Sequence, residues 1–176
     1  MLNKNDIFTA KIEGYNSEGL GIARINGIVV FVPYAIVAEE CQIKIVKVMR
    51  NFAYGRLVKL PNKCSVNRIN PDCPIYKQCG GCSLRHMTYS EELKFKKQKV
   101  QDAISKIGKI PFEVSTIYQS KPCDRYRNHA QLPVAKDKQG NIKIGMFAAR
   151  SHEVINISDC MLQNKNVKAI VKCVKA

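Results

Sequence analysis

The chain has 176 residues, with 29 Lys and Arg against 14 Asp and Glu, a formal charge of +15 and 45% hydrophobic content. That length suits one medium domain or two small ones, and the basic excess suits a polyanionic partner, nucleic acid before an acidic membrane surface. The opening Met-Leu-Asn-Lys-Asn-Asp lacks a signal-peptide core, and the longest apolar run, Ile28 to Val32, is far too short to span a bilayer. A cytoplasmic location away from membranes is therefore expected. There the eight cysteines are not a disulfide framework: clustered ones hold metal or do chemistry, and scattered ones such as Cys41 and Cys173 read as small buried hydrophobes.

Residues 1–60 read as strands: Ile7 to Ile12, Leu20 to Ile25, Ile28 to Val32, Gln42 to Met49 and Ala53 to Leu60 are rich in Ile and Val. Asn26-Gly27 between two apolar runs signals a tight hairpin, because both central residues of that turn need positive φ. Short strands at this density predict a small closed or nearly closed barrel of the OB type. Residues 61–89 form a linker and a cysteine loop; Pro61 to Pro74 has no clear period. Thr88-Tyr-Ser-Glu91 is a capping box, opening a helix from about Ser90 to Ile107 within a connecting segment, 90–110. Leu93, Val100, Ile104 and Ile107 would give it an apolar stripe, with Gly108 at C′.

Residues 111–176 return to strands: Gln131 to Ala135 and Ile142 to Ala148 flank a hairpin at Lys138-Gln-Gly140-Asn, and Val154 to Ile157 leads to Cys160. Val167, Ile170, Val171 and Val174 mark a final amphipathic helix. That helix needs something to pack on, so the chain reads as a piece of a longer protein. The fold class expected is mainly β with α+β: a five-stranded OB-like barrel, a cysteine loop, a helix, and part of an α+β domain.

The sharpest feature is Cys73-Pro-Ile-Tyr-Lys-Gln-Cys79-Gly-Gly-Cys82. A cubane cluster takes thiolates at iron corners facing different directions. One loop supplies three, and the fourth arrives from elsewhere, here Cys160, with Cys64 and Cys123 as alternatives. Gly80 and Gly81 remove Cβ bulk, which lets backbone approach the inorganic sulfides and offers N–H donors to them. Structural zinc prefers two close cysteine pairs, and only one Cys-x-x-Cys exists here, so the spacing favours iron and sulfur. A redox Cys-x-x-Cys would sit between a strand and a helix, not in a Pro-containing loop with a third thiol.

Two basic stretches carry aromatics. Lys44, Lys47, Arg50, Tyr54 and Arg56 lie around the junction of the last two barrel strands, where cations pair phosphates and rings stack unpaired bases; the competing reading places Phe52 in the core and the charges in water. Arg125-Tyr126-Arg127-Asn128, if extended, puts both guanidiniums on one face, and guanidinium forks suit phosphate and base edges. His152, in a polar interruption between strands, is a further RNA candidate. No catalytic constellation is present: Gly19-Leu-Gly21 begins a dinucleotide fingerprint, but Arg24 stands at its third glycine, and neither a P-loop nor an alternating strand–helix pattern occurs.

Asn5-Asp-Ile-Phe8, Asn51-Phe-Ala-Tyr-Gly-Arg-Leu-Val58, Cys79-Gly-Gly-Cys82-Ser-Leu-Arg-His86, Leu93-Lys-Phe-Lys96, Tyr126-Arg-Asn-His-Ala-Gln131 and Ser151-His152 followed by Cys160 spread over nearly the whole chain. Together they resemble the N-terminal part of the TRAM-domain, iron–sulfur-containing ribosomal RNA (uracil-5-)-methyltransferases acting on 23S rRNA. The resemblance implies that the barrel is a TRAM domain and that Cys73, Cys79, Cys82 and Cys160 hold a structural or RNA-positioning 4Fe–4S cluster. It implies 23S rRNA as partner, with no obligate protein partner. It also places the S-adenosylmethionine (SAM) site and catalytic residues beyond Ala176, in a Rossmann-like domain, where a thiolate adds to uracil C6, C5 takes the methyl group and a base removes the C5 proton. By this reading the chain alone is inactive. The alternative is a freestanding RNA-binding module with a structural four-cysteine metal centre.

Overall fold

The structure is a computed structural model and describes residues 2–175. It divides into two compact units: residues up to Asn70 together with Ser83–Ile117, and Pro71–Cys82 together with the chain from Tyr118 onward.

The first unit holds a closed barrel of β1 (Ile7–Tyr15), β2 (Gly21–Ile25), β3 (Ile28–Val32), β4 (Glu40–Val48) and β5 (Phe52–Lys59), ordered β1-β2-β3-β5-β4. Every predicted strand is present. Asn26 and Gly27 make the two-residue turn at φ 51° and 79°, between partners Ile25 and Ile28. Parallel pairing of β3 with β5, with Phe31 opposite Tyr54, leaves no open edge between them. Ile12, Val30, Val32, Cys41, Ile43, Ile45 and Ala53 are fully buried inside. The period of two then turns the alternate side chains of β5, Phe52 and Tyr54, to the outer face.

The predicted helix is α1 (Tyr89–Asp102), followed by a wider π-type turn over Ala103–Ile107. Its expected stripe is not what it buries. Val100 and Ile107 are exposed, and Phe95 is buried in their place, edge-on to Tyr15 with ring centroids 5.6 Å apart. The buried residues of the helix, Glu91 and Phe95, lie in its first turns, and its later part is tied to the following segment by polar contacts, Gln101 to Phe112 and Val114 and Lys97 to Ser115. The Glu91 N–H bonds the Thr88 hydroxyl, as a capping box requires. The Glu91 carboxylate, however, accepts from Tyr15 Oη at 3.1 Å and Asn67 Nδ2 at 2.9 Å. Gly108 is right-handed (φ −71°), and Lys109 takes the left-handed position expected of it. The segment after β5 is fastened by a buried ion pair: Arg68 donates to Glu39 through Nε at 2.7 Å and through Nη2.

The second unit carries a three-stranded antiparallel sheet, β6 (Val134–Lys136), β7 (Ile142–Phe147) and β8 (Val154–Asn156), with α2 (Lys165–Lys175) against β7. Gly140, at φ 88°, makes the predicted hairpin, and Asp137 Oδ1 accepts the N–H groups of Gln139 and Asn141. Of the α2 stripe, Val171 is buried while Ile170 and Val174 are exposed. Cys41 is buried as expected, but Cys173 is exposed.

Candidate nucleic-acid interface and cysteine site

Cys73, Cys79, Cys82 and Cys160 all lie in the second unit, and all are half-buried. The loop that carries three of them is built from successive turns: Tyr76 N–H reaches the Cys73 carbonyl at 3.1 Å, and the N–H groups of Gln78 and Cys79 both reach the Ile75 carbonyl at 2.9 Å. Tyr76 is buried and anchors the loop. Cys79 pairs as an isolated bridge with Ala148, and Gly80 N–H donates to the Phe147 carbonyl at 2.9 Å, so the loop is stitched to the end of β7. A Cβ on Gly80 would stand 3.0 Å from that carbonyl oxygen and 3.1 Å from the Ala149 Cα, tighter than most Cβ contacts, so a side chain here would have to push that backbone back by a few tenths of an ångström. Gly81 N–H points at Cys79 Sγ at 3.3 Å. The donor lies on the Cys79 sulfur, and the close approach of Gly80 is to backbone.

Burial raises the Cys79 thiol pKa, the Gly81 N–H opposes this, and the thiols of Cys160 and Cys73 add to the rise. Both of those cysteines are thus within electrostatic reach of Cys79. Of the alternative fourth ligands, Cys64 is in the first unit, with Sγ 3.7 Å from the Pro61 carbonyl, and Cys123 is exposed, with Sγ 3.5 Å from the Ser120 carbonyl. Among the described residues no three His, Cys, Asp or Glu side chains are grouped to grip a single metal ion. A cubane makes a different demand, since it keeps its thiolates apart on separate iron corners and takes N–H donors onto sulfur. The all-thiol donor set, with a backbone N–H already on one sulfur, fits that group.

Arg125 is not in a strand. Its φ is +59°, its guanidinium donates to both Asp159 carboxylate oxygens at 2.7 and 2.9 Å, and Nη1 also reaches the Cys160 carbonyl at 2.9 Å. The shared face expected of Arg125 and Arg127 therefore does not form. Arg125 is occupied within the fold. Arg127 is exposed, its Cζ 6.0 Å from the Tyr126 ring centroid, and Tyr126 and Asn128 are exposed beside it. Asp159, which sequence reasoning passed over, is held well below the ordinary carboxylate range, chiefly by its hydrogen bonds from Arg125. Its only sequence signal was a position next to Cys160.

On the barrel, Lys47 stands opposite Tyr54, and Lys44 opposite Arg56. Lys47, Arg50 and Arg56 are exposed; Lys44 and Tyr54 are half-buried. Phe31, Phe52 and Tyr54 make a three-ring cluster with centroids 5.5 to 5.9 Å apart. Phe52 is thus a surface ring, not a core one; the alternation Phe52, Ala53, Tyr54, Gly55 held that signal. Phe31 was missed because it lies in a continuous apolar run that hides which face each residue takes. In the second unit, a groove of about 920 Å³ is lined by Gly80, Gly81, Phe147, Arg150 and His152, among others. His152 meets Phe147 edge-on at 5.4 Å.

A closed barrel of this topology, carrying surface rings and cations, is a nucleic-acid-binding class of fold. Residues 2–58 match the TRAM domain. A Clostridium tetani protein named as an uncharacterised RNA methyltransferase is 41% identical over 99% of this chain and 37% of its own length. A Halalkalibacterium halodurans protein of the same description is 36% identical over 99% of the chain and 38% of its own. The chain thus carries a TRAM domain and is similar along nearly its whole length to these proteins named as RNA methyltransferases, of whose length it spans a little over a third. Its fold is also similar, at a TM-score of 0.62 and 21% identity, to part of the Pyrococcus abyssi tRNA (uracil-54, C5)-methyltransferase solved with S-adenosyl-L-homocysteine, covering 95% of this chain and 35% of that one.

Proposed function

We propose that this chain is the RNA-recognition and 4Fe–4S-bearing part of a SAM-dependent (uracil-5-)-methyltransferase of 23S rRNA, which forms 5-methyluridine. The observation that carries the reading is the cysteine site: a thiol loop, locked to β7 and bearing an N–H on one sulfur, shares a unit with Cys160 inside a chain related along its whole length to RNA methyltransferases. Cys73, Cys79, Cys82 and Cys160 would hold the cluster. When bound, the cluster supplies a rigid cross-link that fixes the loop, not a redox step.

The chain's own residues bind and orient RNA. Phosphates go to Lys44, Lys47, Arg50, Arg56 and Arg127, and unpaired bases to the Phe31, Phe52 and Tyr54 rings and to Tyr126. Arg150 and His152 line the groove beside the cysteine loop, where a nucleotide can enter. Methyl transfer itself is assigned to the part of the relatives that lies outside this chain. Anaerobic reconstitution with iron and sulfide tests the cluster. Brown protein with equal iron and acid-labile sulfide, lost in Cys79→Ser, is the expected result; a colourless zinc-loaded protein overturns it.

A further inference from the structure

Arg125 is paired with a carboxylate of its own unit, and it stands at a backbone conformation that a non-glycine residue keeps only when its surroundings dictate it. We propose that Arg125 and Asp159 form a positioning pair that presents Cys160 as the remote thiolate of the cysteine site. This rests on the cluster reading above.

Both backbone polar groups of Cys160 are held by the pair. Asp159 Oδ1 accepts the Cys160 N–H at 2.8 Å, and Arg125 Nη1 donates to the Cys160 carbonyl at 2.9 Å. The same carbonyl accepts the Gln163 N–H at 3.1 Å, closing a turn after the cysteine. The guanidinium joins the two halves of this grip, bidentate on Asp159, the planar geometry that lysine cannot copy. The backbone fixes where the pair stands: Arg125 N–H reaches the Met161 carbonyl at 2.8 Å, Arg127 N–H the Leu162 carbonyl at 2.9 Å, and Asn164 N–H the Arg127 carbonyl at 2.8 Å. Segment 125–127 is thereby zipped alongside 161–164, and Gln163 is buried between.

With its peptide groups tied, Cys160 keeps little freedom beyond rotation about its own Cα–Cβ bond. Cys73 and Cys79 are placed by the turns of their own loop. A distant ligand has no local turn joining it to the loop, so its presentation depends on outside contacts. Groups of this kind orient ligands, and their removal typically costs about 10–100-fold in metal affinity.

The test uses the full chain, reconstituted anaerobically, as wild type, Arg125→Gln, Arg125→Lys, Asp159→Asn and the Arg125→Gln/Asp159→Asn double variant. Cluster bleaching in excess chelator is timed for each. Arg125→Gln should bleach about 10–100-fold faster than wild type, the double variant no faster than Arg125→Gln, and Arg125→Lys in between. Iodoacetamide labelling of the metal-free chain, read peptide by peptide, gives a second measure. Cys160 should label faster in Arg125→Gln, with Cys73 unchanged. If Arg125→Gln loses its circular dichroism, Asp159→Asn and Arg125→Lys decide on the same two readouts. Iron in the wild type, with equal bleaching and equal Cys160 labelling across the variants, overturns this inference alone. A wild-type chain that takes up no iron overturns the cluster reading and this inference with it.

Discussion

Replacing Arg68 by Met removes one side of a buried ion pair in the first unit. The Glu39 side chain is 1% exposed and that of Arg68 13%. Arg68 supplies two charge-assisted hydrogen bonds to the carboxylate and one to the Tyr34 carbonyl at 2.9 Å. After the substitution Glu39 retains the N–H groups of Ser65 at 3.1 Å and Ile36 at 3.3 Å and the weak donor of the Cys41 thiol at 4.0 Å. Removing one partner of a buried pair costs about 3–5 kcal/mol. The variant can escape by protonating Glu39, and holding an ordinary carboxyl neutral costs about 4 kcal/mol at pH 7 but about 1 kcal/mol at pH 5.

The wild type behaves in the opposite sense. Burial pushes the Glu39 pKa up, but the Arg68 hydrogen bonds and charge and the Ser65 and Ile36 N–H groups outweigh it, so the net shift is downward. Its contribution to stability is complete above the ordinary carboxylate range and fades as pH falls through the native pKa. The expected cost of Arg68→Met is therefore about 4 kcal/mol at pH 7, shrinking to about half that or less at pH 5. Urea unfolding at the two pH values, followed by far-ultraviolet circular dichroism, measures both. A cost under about 1 kcal/mol, typical of a surface pair, or the same cost at both pH values, refutes the reasoning.

His86 is buried edge-on to Tyr34, and burial first, then the Arg68 charge, depress its pKa to about 4. Stability should fall by about 3 kcal/mol as pH drops from the unfolded value near 6.5 through 4, because the unfolded chain binds the proton first; a His86→Gln chain that keeps the same acid slope would contradict this. Tyr54→Ala should weaken single-stranded RNA binding by about 1–3 kcal/mol in a fluorescence titration, the worth of one stacked base; unchanged affinity removes the ring cluster from the interface. Arg127→Ala should lower the slope of log affinity against log salt by about 1, whereas Arg125→Lys should leave that slope unaltered, since the Arg125 charge is already paired with Asp159. An equal drop for both would return Arg125 to the RNA-facing set.

The barrel was legible from residue type because its two rules act locally. β-branched alternation sets the faces of each strand, and Asn26-Gly27 sets a turn that only positive φ allows. The helices were legible in place but not in the face they bury. Periodicity marks an apolar stripe, yet a partner must exist for that stripe to be covered. α1 meets Tyr15 of the barrel through Phe95 and Glu91, the two residues it buries, and leaves Val100 at 50% exposure.

Charge was the least legible property. A formula of +15 makes every arginine look available to phosphate, but Arg68 and Arg125 are committed inside the fold, each to one carboxylate and to backbone carbonyls. Both partners, Glu39 and Asp159, lie about thirty residues away in sequence, beyond any window in which local pattern operates. In both cases the same physics selects arginine: a planar fork satisfies a carboxylate and still reaches a carbonyl, which a lysine ammonium cannot do in one geometry. Whether an arginine reads RNA or holds the fold is thus decided by the carboxylate that long-range folding brings to it, and the surrounding basic composition does not distinguish the two.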